Sequence, residues 1–153
     1  IATTTLLFGL LLGVSYSYRA VGADEQPISR LDHALLIGLA QAFALIPGTS
    51  RSGVTITASL FLGYNLATAA RFSFLMSIPV IGGALLLMLT KEFELFFSSA
   101  NLTLTVSAMV VAAMSAYATI AFFVGLVTRV GMMPFVIYRV LLALILFSIL
   151  VFV

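Results

Sequence analysis

The segment from Gln41 to Leu62 constrains this chain more than any other. At its centre stands a polar run, Pro47-Gly48-Thr49-Ser50-Arg51-Ser52-Gly53, with an apolar arm on either side. A helix breaker, two glycines, three hydroxyls and one arginine therefore sit inside sequence apolar enough for a bilayer. Lipid cannot satisfy free backbone N–H and C=O groups. Irregular backbone at membrane depth is tolerated only where protein buries it or where it lines a watery cavity. An arginine at that depth is costly and points to a function.

The arms are short. His33 to Ile46 is about 14 residues, or about 21 Å as a helix, against a hydrocarbon core of about 30 Å. Pro47 stops it. The second arm, Val54 to Tyr64, is shorter still, and Gly63-Tyr64-Asn65 reads as a turn. This predicts a re-entrant helix-loop-helix hairpin over residues 33–64, leaving by the side it entered; a single broken span is the alternative.

The chemistry of the loop is anion binding. Gly48 and Gly53 permit backbone conformations that let successive N–H groups turn toward one ligand. Thr49, Ser50 and Ser52 add hydroxyl donors. Arg51 offers a planar fork matched to two phosphate oxygens. A helix predicted after Gly53 would place its positive N-terminus at the loop. A Pro-kinked span with a snorkelling arginine is the plainer alternative, but a kink requires neither three hydroxyls nor two glycines. The run is not a Walker A loop, because the Gly-Lys-Ser/Thr ending is absent.

Composition sets the rest of the architecture. Hydrophobic residues make up 63% of the 153 and charged residues 8%, where a soluble domain carries about 25% charged. The expected fold is all-α and integral to the membrane, a single polytopic domain over 1–153 with spans near 1–18, 67–90, 102–128 and 132–153. A net charge of +2 is too small and scattered to suggest nucleic acid. Without cysteine there is no disulfide, thiolate metal site or thiol nucleophile. The chain opens inside an apolar segment at Ile1, which predicts a piece of a longer protein.

Smaller features follow. Gly9 and Gly13 form a GxxxG pair suited to close helix approach. Asp32 is a candidate N-cap, and His33 reads as an interfacial residue. Pro79, Gly82 and Gly83 predict a kink in the 67–90 span. Lys91 to Asn101 reads as a polar turn. Ala108, Ala112 and Ala116 read as a helix-packing face. Tyr138 and Arg139 lie about two turns into the last span. Arg139 is deeper than an anchor needs, which makes the pair candidate cavity-lining residues. Asp24, Glu25, Asp32, Glu92 and Glu94 read as solvated loop charges, so no metal-ligand cluster is visible. Arg19, Arg30, Arg71 and Arg129 fall toward one side of a hairpin topology and Lys91 toward the other, which makes the arginine side cytoplasmic.

The run ALIPGTSRSGVT, followed by ARFSFLMSIPVIGGA and later MPFVIYR, resembles the C-terminal half of the undecaprenyl-diphosphatase, or bacitracin-resistance, family from about Leu31 onward. The resemblance implies a multi-pass enzyme of the bacterial inner membrane. It would remove the terminal phosphate of undecaprenyl diphosphate to regenerate the monophosphate carrier of cell-wall synthesis. It also implies an inverted-repeat fold with two re-entrant hairpins, of which this chain holds one half, and a divalent cation, Mg²⁺ or Ca²⁺. Under it, Arg51 and Ser50 are the catalytic candidates, and Gly48, Thr49, Ser50, Arg51, Ser52 and Gly53 the phosphate-binding set.

One departure qualifies this. The family's other half carries a Glu-rich segment running into Pro-Ile-Ser-Ser-Thr-Gly-His, which does not stand in this sequence. Ala44 occupies the place of a glutamate, and His33 precedes Pro47 rather than following the serines. The chain thus carries the phosphate-clamping half of a site, expected to be inactive alone. Implied partners are a polyprenyl diphosphate, the bilayer and an N-terminal half of the same protein; a homodimer stays open. The alternative function is a transporter or flippase for an anionic or lipid-phosphate substrate, since broken helices aimed at an anion are also its hallmark.

Overall fold

The computed structural model describes residues 1–18, 26–97 and 102–152. Every regular element among them is a helix: α1 (Ala2–Tyr18), α2 (Leu31–Gln41), α3 (Arg51–Phe61), α4 (Leu66–Leu75), α5 (Ser77–Phe97), α6 (Leu102–Val130) and α7 (Met133–Phe152), with a 3₁₀ turn (Ala42–Leu45) extending α2. The expected turn residues Arg19, Asp24 and Glu25, and the stretch Ser98 to Asn101, lie outside the described residues. Three helical stretches, Leu66–Lys91, Leu102–Val130 and Met133–Leu150, are long and apolar enough to cross a membrane. Many of their large apolar side chains face outward, among them Leu104, Met114 and Leu150. That is an inverted burial pattern for water and the ordinary one for lipid. The chain is an all-α integral membrane protein.

Helix α3 sits at the centre. Gly53, Val54, Thr55, Ile56, Thr57, Ser59 and Leu60 are all buried, so it is enclosed nearly all round, with α1, α2 and α4 packed against it. Its buried hydroxyls are satisfied locally: Thr57 Oγ1 donates to the Gly53 carbonyl at 2.7 Å and Ser59 Oγ to that of Thr55 at 2.8 Å. Thr55 Oγ1 also pairs with Ser73 Oγ of α4 at 2.7 Å. Such bonding lets a polar helix exist away from water.

The two arms of the predicted hairpin run side by side. His33, at the start of α2, places Nδ1 2.8 Å from the hydroxyl of Tyr64, just beyond α3, with the rings edge to face. The outer ends of both arms therefore meet, and the Pro47 loop lies at the opposite end. Helix α3 closes with a Schellman motif: Tyr64 N–H donates to Ser59 O, Gly63 N–H to Leu60 O, and Gly63 takes φ +87°. Asn65 then caps α4, its Oδ1 accepting from Thr68 N–H at 2.8 Å.

Several local expectations are corrected. Helix α3 begins at Arg51 rather than after Gly53, because Ser50 caps it and Arg51, Ser52 and Gly53 form its first turn. The N-cap of α2 is Arg30, in extended backbone, and Asp32 lies inside the first turn, where Arg30 Nη2 reaches its carboxylate at 2.6 Å. The interruption expected at Pro79, Gly82 and Gly83 falls at Met76, between α4 and α5. Proline lacks an N–H and crowds the carbonyl four residues back, here that of Leu75, so the break precedes the proline by a turn while both glycines stay helical. Helix α5 also runs through Lys91 to Phe97 instead of turning there. Ala108, Ala112 and Ala116 are exposed, so their small-residue face has no covering helix among the described residues.

The α1–α7 pairing matters most for the site. On α1, Thr5, Gly9 and Leu12 are buried along one face. A Cβ at Gly9 would lie 3.1 Å from Arg139 Cβ, and one at Gly13 would lie 3.1 Å from Val136 Cγ1. The GxxxG pair thus lets α7 approach closely enough to bring Arg139 to the end of the hairpin loop.

Candidate functional site

The loop is built from two linked local structures. Ile46 is extended, at φ −79° and ψ 123°, as the residue before a proline tends to be. Thr49 N–H donates to the Ile46 carbonyl at 3.1 Å, closing a turn with Pro47 and Gly48 at its corners. Gly48 has φ +91°, and proline followed by a positive-φ glycine is the signature of a type II turn. Ser50 is then extended as the N-cap of α3, its Oγ accepting from Gly53 N–H at 3.2 Å. Because that lone pair is engaged, the Ser50 hydroxyl proton points elsewhere, and Ser52 Oγ lies 3.4 Å away.

Helices distant in sequence hold the loop's carbonyls. Thr4 Oγ1 lies 2.6 Å from the Pro47 carbonyl and Thr5 Oγ1 3.2 Å from that of Gly48. From the other side, Arg139 Nη2 donates to the same Gly48 carbonyl at 2.9 Å. The α-carbon of Gly48 is pressed against α1, where a Cβ would lie 2.7 Å from the Ile1 carbonyl and 3.0 Å from Thr5 Oγ1.

A cavity of about 440 Å³ opens beside this loop. Gly48, Ser50, Ser52, Gly53, Thr5 and Arg139 form its polar end; Leu12, Ile56, Phe123, Phe135, Leu142 and Leu146 line the rest, with Tyr138 alongside. Of the sequence candidates, Gly48, Ser50, Ser52, Gly53, Tyr138 and Arg139 therefore meet at one cavity. Thr49 and Arg51 do not line it. The Thr49 hydroxyl is buried without a partner among the described residues, and Arg51 Nη1 donates to the Ser73 carbonyl of α4 at 3.3 Å.

Electrostatics at the polar end favour an anion. The N-terminus of α3 presents the positive end of a helix. Arg139 Nη1 is buried without a partner among the described residues and would lie 3.0 Å from a Cβ at Gly53, so it stands over that same N-terminus. The lining among the described residues includes no carboxylate. Among the described residues no three His, Cys, Asp or Glu side chains cluster, and a cationic, hydroxyl-lined cavity does not by itself fit Mg²⁺ or Ca²⁺, which need several oxygen ligands and usually carboxylates.

A family model described as Bacitracin resistance protein BacA matches residues 1–145. The chain belongs to the BacA family. Similar curated proteins carry the name undecaprenyl-diphosphatase. That of Alcanivorax borkumensis is 53% identical over 144 residues, covering 93% of this chain and 53% of the relative. That of Teredinibacter turnerae is 51% identical over 152 residues, covering 96% and 55%. That of Saccharophagus degradans is 47% identical over 147 residues, covering 93% and 52%. The chain thus spans about half the length of the curated relatives it matches. No solved structure matches it.

Sequence reasoning missed Thr4 and Thr5. No local motif marks them, and the one available signal was the GxxxG pair that sets the neighbouring face of α1 against α7.

Proposed function

We propose that this BacA-family chain supplies the phosphate-binding half of a phosphatase that hydrolyses undecaprenyl diphosphate to undecaprenyl phosphate and inorganic phosphate. The observation that carries the reading is the convergence of Ser50, Ser52, the capped N-terminus of α3 and the unpartnered Arg139 Nη1 on one cavity end. The relatives' name agrees with it and does not favour a transporter.

Phosphoryl transfer is catalysed chiefly by positioning and by neutralising charge on the nonbridging oxygens. Arg139 and the loop donors would grip those oxygens, and the Ser50 hydroxyl, with its acceptor side occupied by Gly53 N–H, would donate to one. Arg51 stands between Ser50 and Ser52; its 3.3 Å bond to the Ser73 carbonyl is long and exchangeable for a charge-assisted bond to phosphate. The apolar wall of the cavity suits the polyprenyl chain. The base that activates the nucleophile, and carboxylates for a divalent cation, would come from the N-terminal half of the protein. The hairpin would be re-entrant, the polar loop meeting its counterpart within the membrane of a bacterial cell.

The test is phosphate release from undecaprenyl diphosphate by the full-length protein in detergent. Ser50→Ala, Arg51→Ala and Arg51→Lys should each lose about 100-fold in rate, Lys failing because it lacks the bidentate fork. Wild-type rates in all three would remove the loop from the site. For topology, single cysteines at Ser29 and Ser99 should label from opposite faces of the membrane; labelling from one face contradicts re-entry.

A further inference from the structure

Two threonines of α1, Thr4 and Thr5, reach out of their own helix. A Ser or Thr inside a helix ordinarily bonds back to a carbonyl three or four residues earlier. Ser15 does so to Leu12 and Ser17 to Gly13. Thr5, although buried, instead reaches the Gly48 carbonyl, and Thr4 reaches that of Pro47 at 2.6 Å, nearer than its own helix's Ile1 carbonyl at 2.8 Å.

Those two carbonyls belong to the two peptides that set the shape of the turn. The Pro47–Gly48 peptide is the central peptide of the type II turn, the unit that flips when such a turn becomes type I. In a planar trans peptide the C=O and the next N–H point to opposite edges. Holding the Pro47 carbonyl against α1 therefore holds the Gly48 N–H on the far edge. A flipped peptide would turn a carbonyl where a donor had been, and a carbonyl dipole repels an anion. The Gly48 carbonyl is held twice, by Thr5 and by Arg139.

We propose that Thr4 and Thr5 are positioning residues for phosphate binding: Thr4 fixes the orientation of the Pro47–Gly48 peptide, and Thr5, together with Arg139, fixes the Gly48 carbonyl at the polar end of the cavity, so that the loop and Arg139 stay in register for the anion. This rests on the reading of the loop as a phosphate clamp. The contact is specific in shape as well as in hydrogen bonding, because Gly48 leaves no room for a side chain between the loop and these threonines.

The experiment uses the full-length protein with undecaprenyl diphosphate as substrate and inorganic phosphate as competing ligand. Thr4→Val and Thr5→Val remove each hydroxyl at nearly constant volume, Thr5→Ser keeps it, and Thr3→Val, at an exposed position of the same helix, is the control. Each Val variant should raise KM and the phosphate inhibition constant together by roughly 3- to 10-fold, the weight of one net hydrogen bond, with little change in kcat or thermal midpoint. Thr5→Ser should restore both constants, and Thr3→Val should leave them alone. If Thr5→Val does not accumulate, Thr4→Val carries the same test from a position that is only half-buried. Unchanged constants in the Val variants beside an impaired Ser50→Ala overturn the inference and leave the clamp reading standing, whether or not the thermal midpoint falls. Unchanged constants in Ser50→Ala as well overturn both.

Discussion

Gly48→Ala is the most searching perturbation of the loop, because two separable costs meet there. The first is torsional: φ is +91°, and a Cβ in the left-handed region costs roughly 1–2 kcal/mol. The second is steric. The new methyl would fall against Thr4 Oγ1, 2.7 Å from the Ile1 carbonyl and 3.0 Å from Thr5 Oγ1. One of these is backbone and cannot swing aside, so a crowding cost of about 1–3 kcal/mol applies. Gly63 supplies the internal reference. It has φ +87°, yet nothing among the described residues lies within 4 Å of its Cβ position, so Gly63→Ala carries the torsional cost alone. Unfolding of the two full-length variants in detergent should therefore place Gly48→Ala below Gly63→Ala by about 1–3 kcal/mol. Diphosphate hydrolysis should fall about 100-fold in Gly48→Ala, as a displacement of about 1 Å at a reacting centre can cost, and stay near wild type in Gly63→Ala. Equal destabilisation in the two variants, or full activity in Gly48→Ala, would refute the packing of α1 against the loop.

Arg139→Lys should lose about 100-fold in kcat/KM, because one ammonium cannot both hold the Gly48 carbonyl and face the α3 N-terminus; phosphate release measures it, and a near-normal rate removes Arg139 from the site. Gly13→Leu should force α1 off Val136 and lower stability by about 1–3 kcal/mol, while Gly82→Ala, where the Cβ meets open space, should not; denaturant titration in detergent separates them. Arg30, hydrogen-bonded to Asp32, holds that carboxyl down to about 2. The folded carboxyl titrates below the unfolded one, so its contribution is present above about pH 4 and fades as pH falls toward the folded value. The pair is exposed, so Asp32→Asn should leave the thermal midpoint unchanged between about pH 5 and 8, and a marked drop would show the pair to be structural.

Much of the architecture follows from signals within a few residues of where they act. Pro47 ends the α2 arm and pushes Ile46 to extended backbone, Gly48 takes the left-handed corner, Ser50 caps α3, and Gly63 closes it. Each is a torsional or hydrogen-bonding preference of the residue itself. Apolar run lengths likewise separate the two short arms from the long apolar stretches. The break near Pro79 was legible in kind and misplaced in position, because proline acts on the carbonyl four residues behind it while Gly82 and Gly83 are tolerated in the helix.

What the loop does with its side chains belongs to the tertiary structure. The sequence marks Arg51 as the phosphate-binding arginine and Arg139 as a candidate cavity-lining one, yet α4 offers Arg51 the Ser73 carbonyl, while the Gly9–Gly13 face of α1 lets α7 carry Arg139 to the Gly48 carbonyl. Thr4 and Thr5 reach the loop across more than forty residues of chain, and no periodicity in α1 announces it. By itself the sequence determined which residues could bind an anion, because donor chemistry and backbone torsions are properties of residues and their near neighbours. The packing of α1, α4 and α7 around the loop sets which of those donors face the same cavity, because the direction of a side chain depends on the space and partners that distant helices leave it.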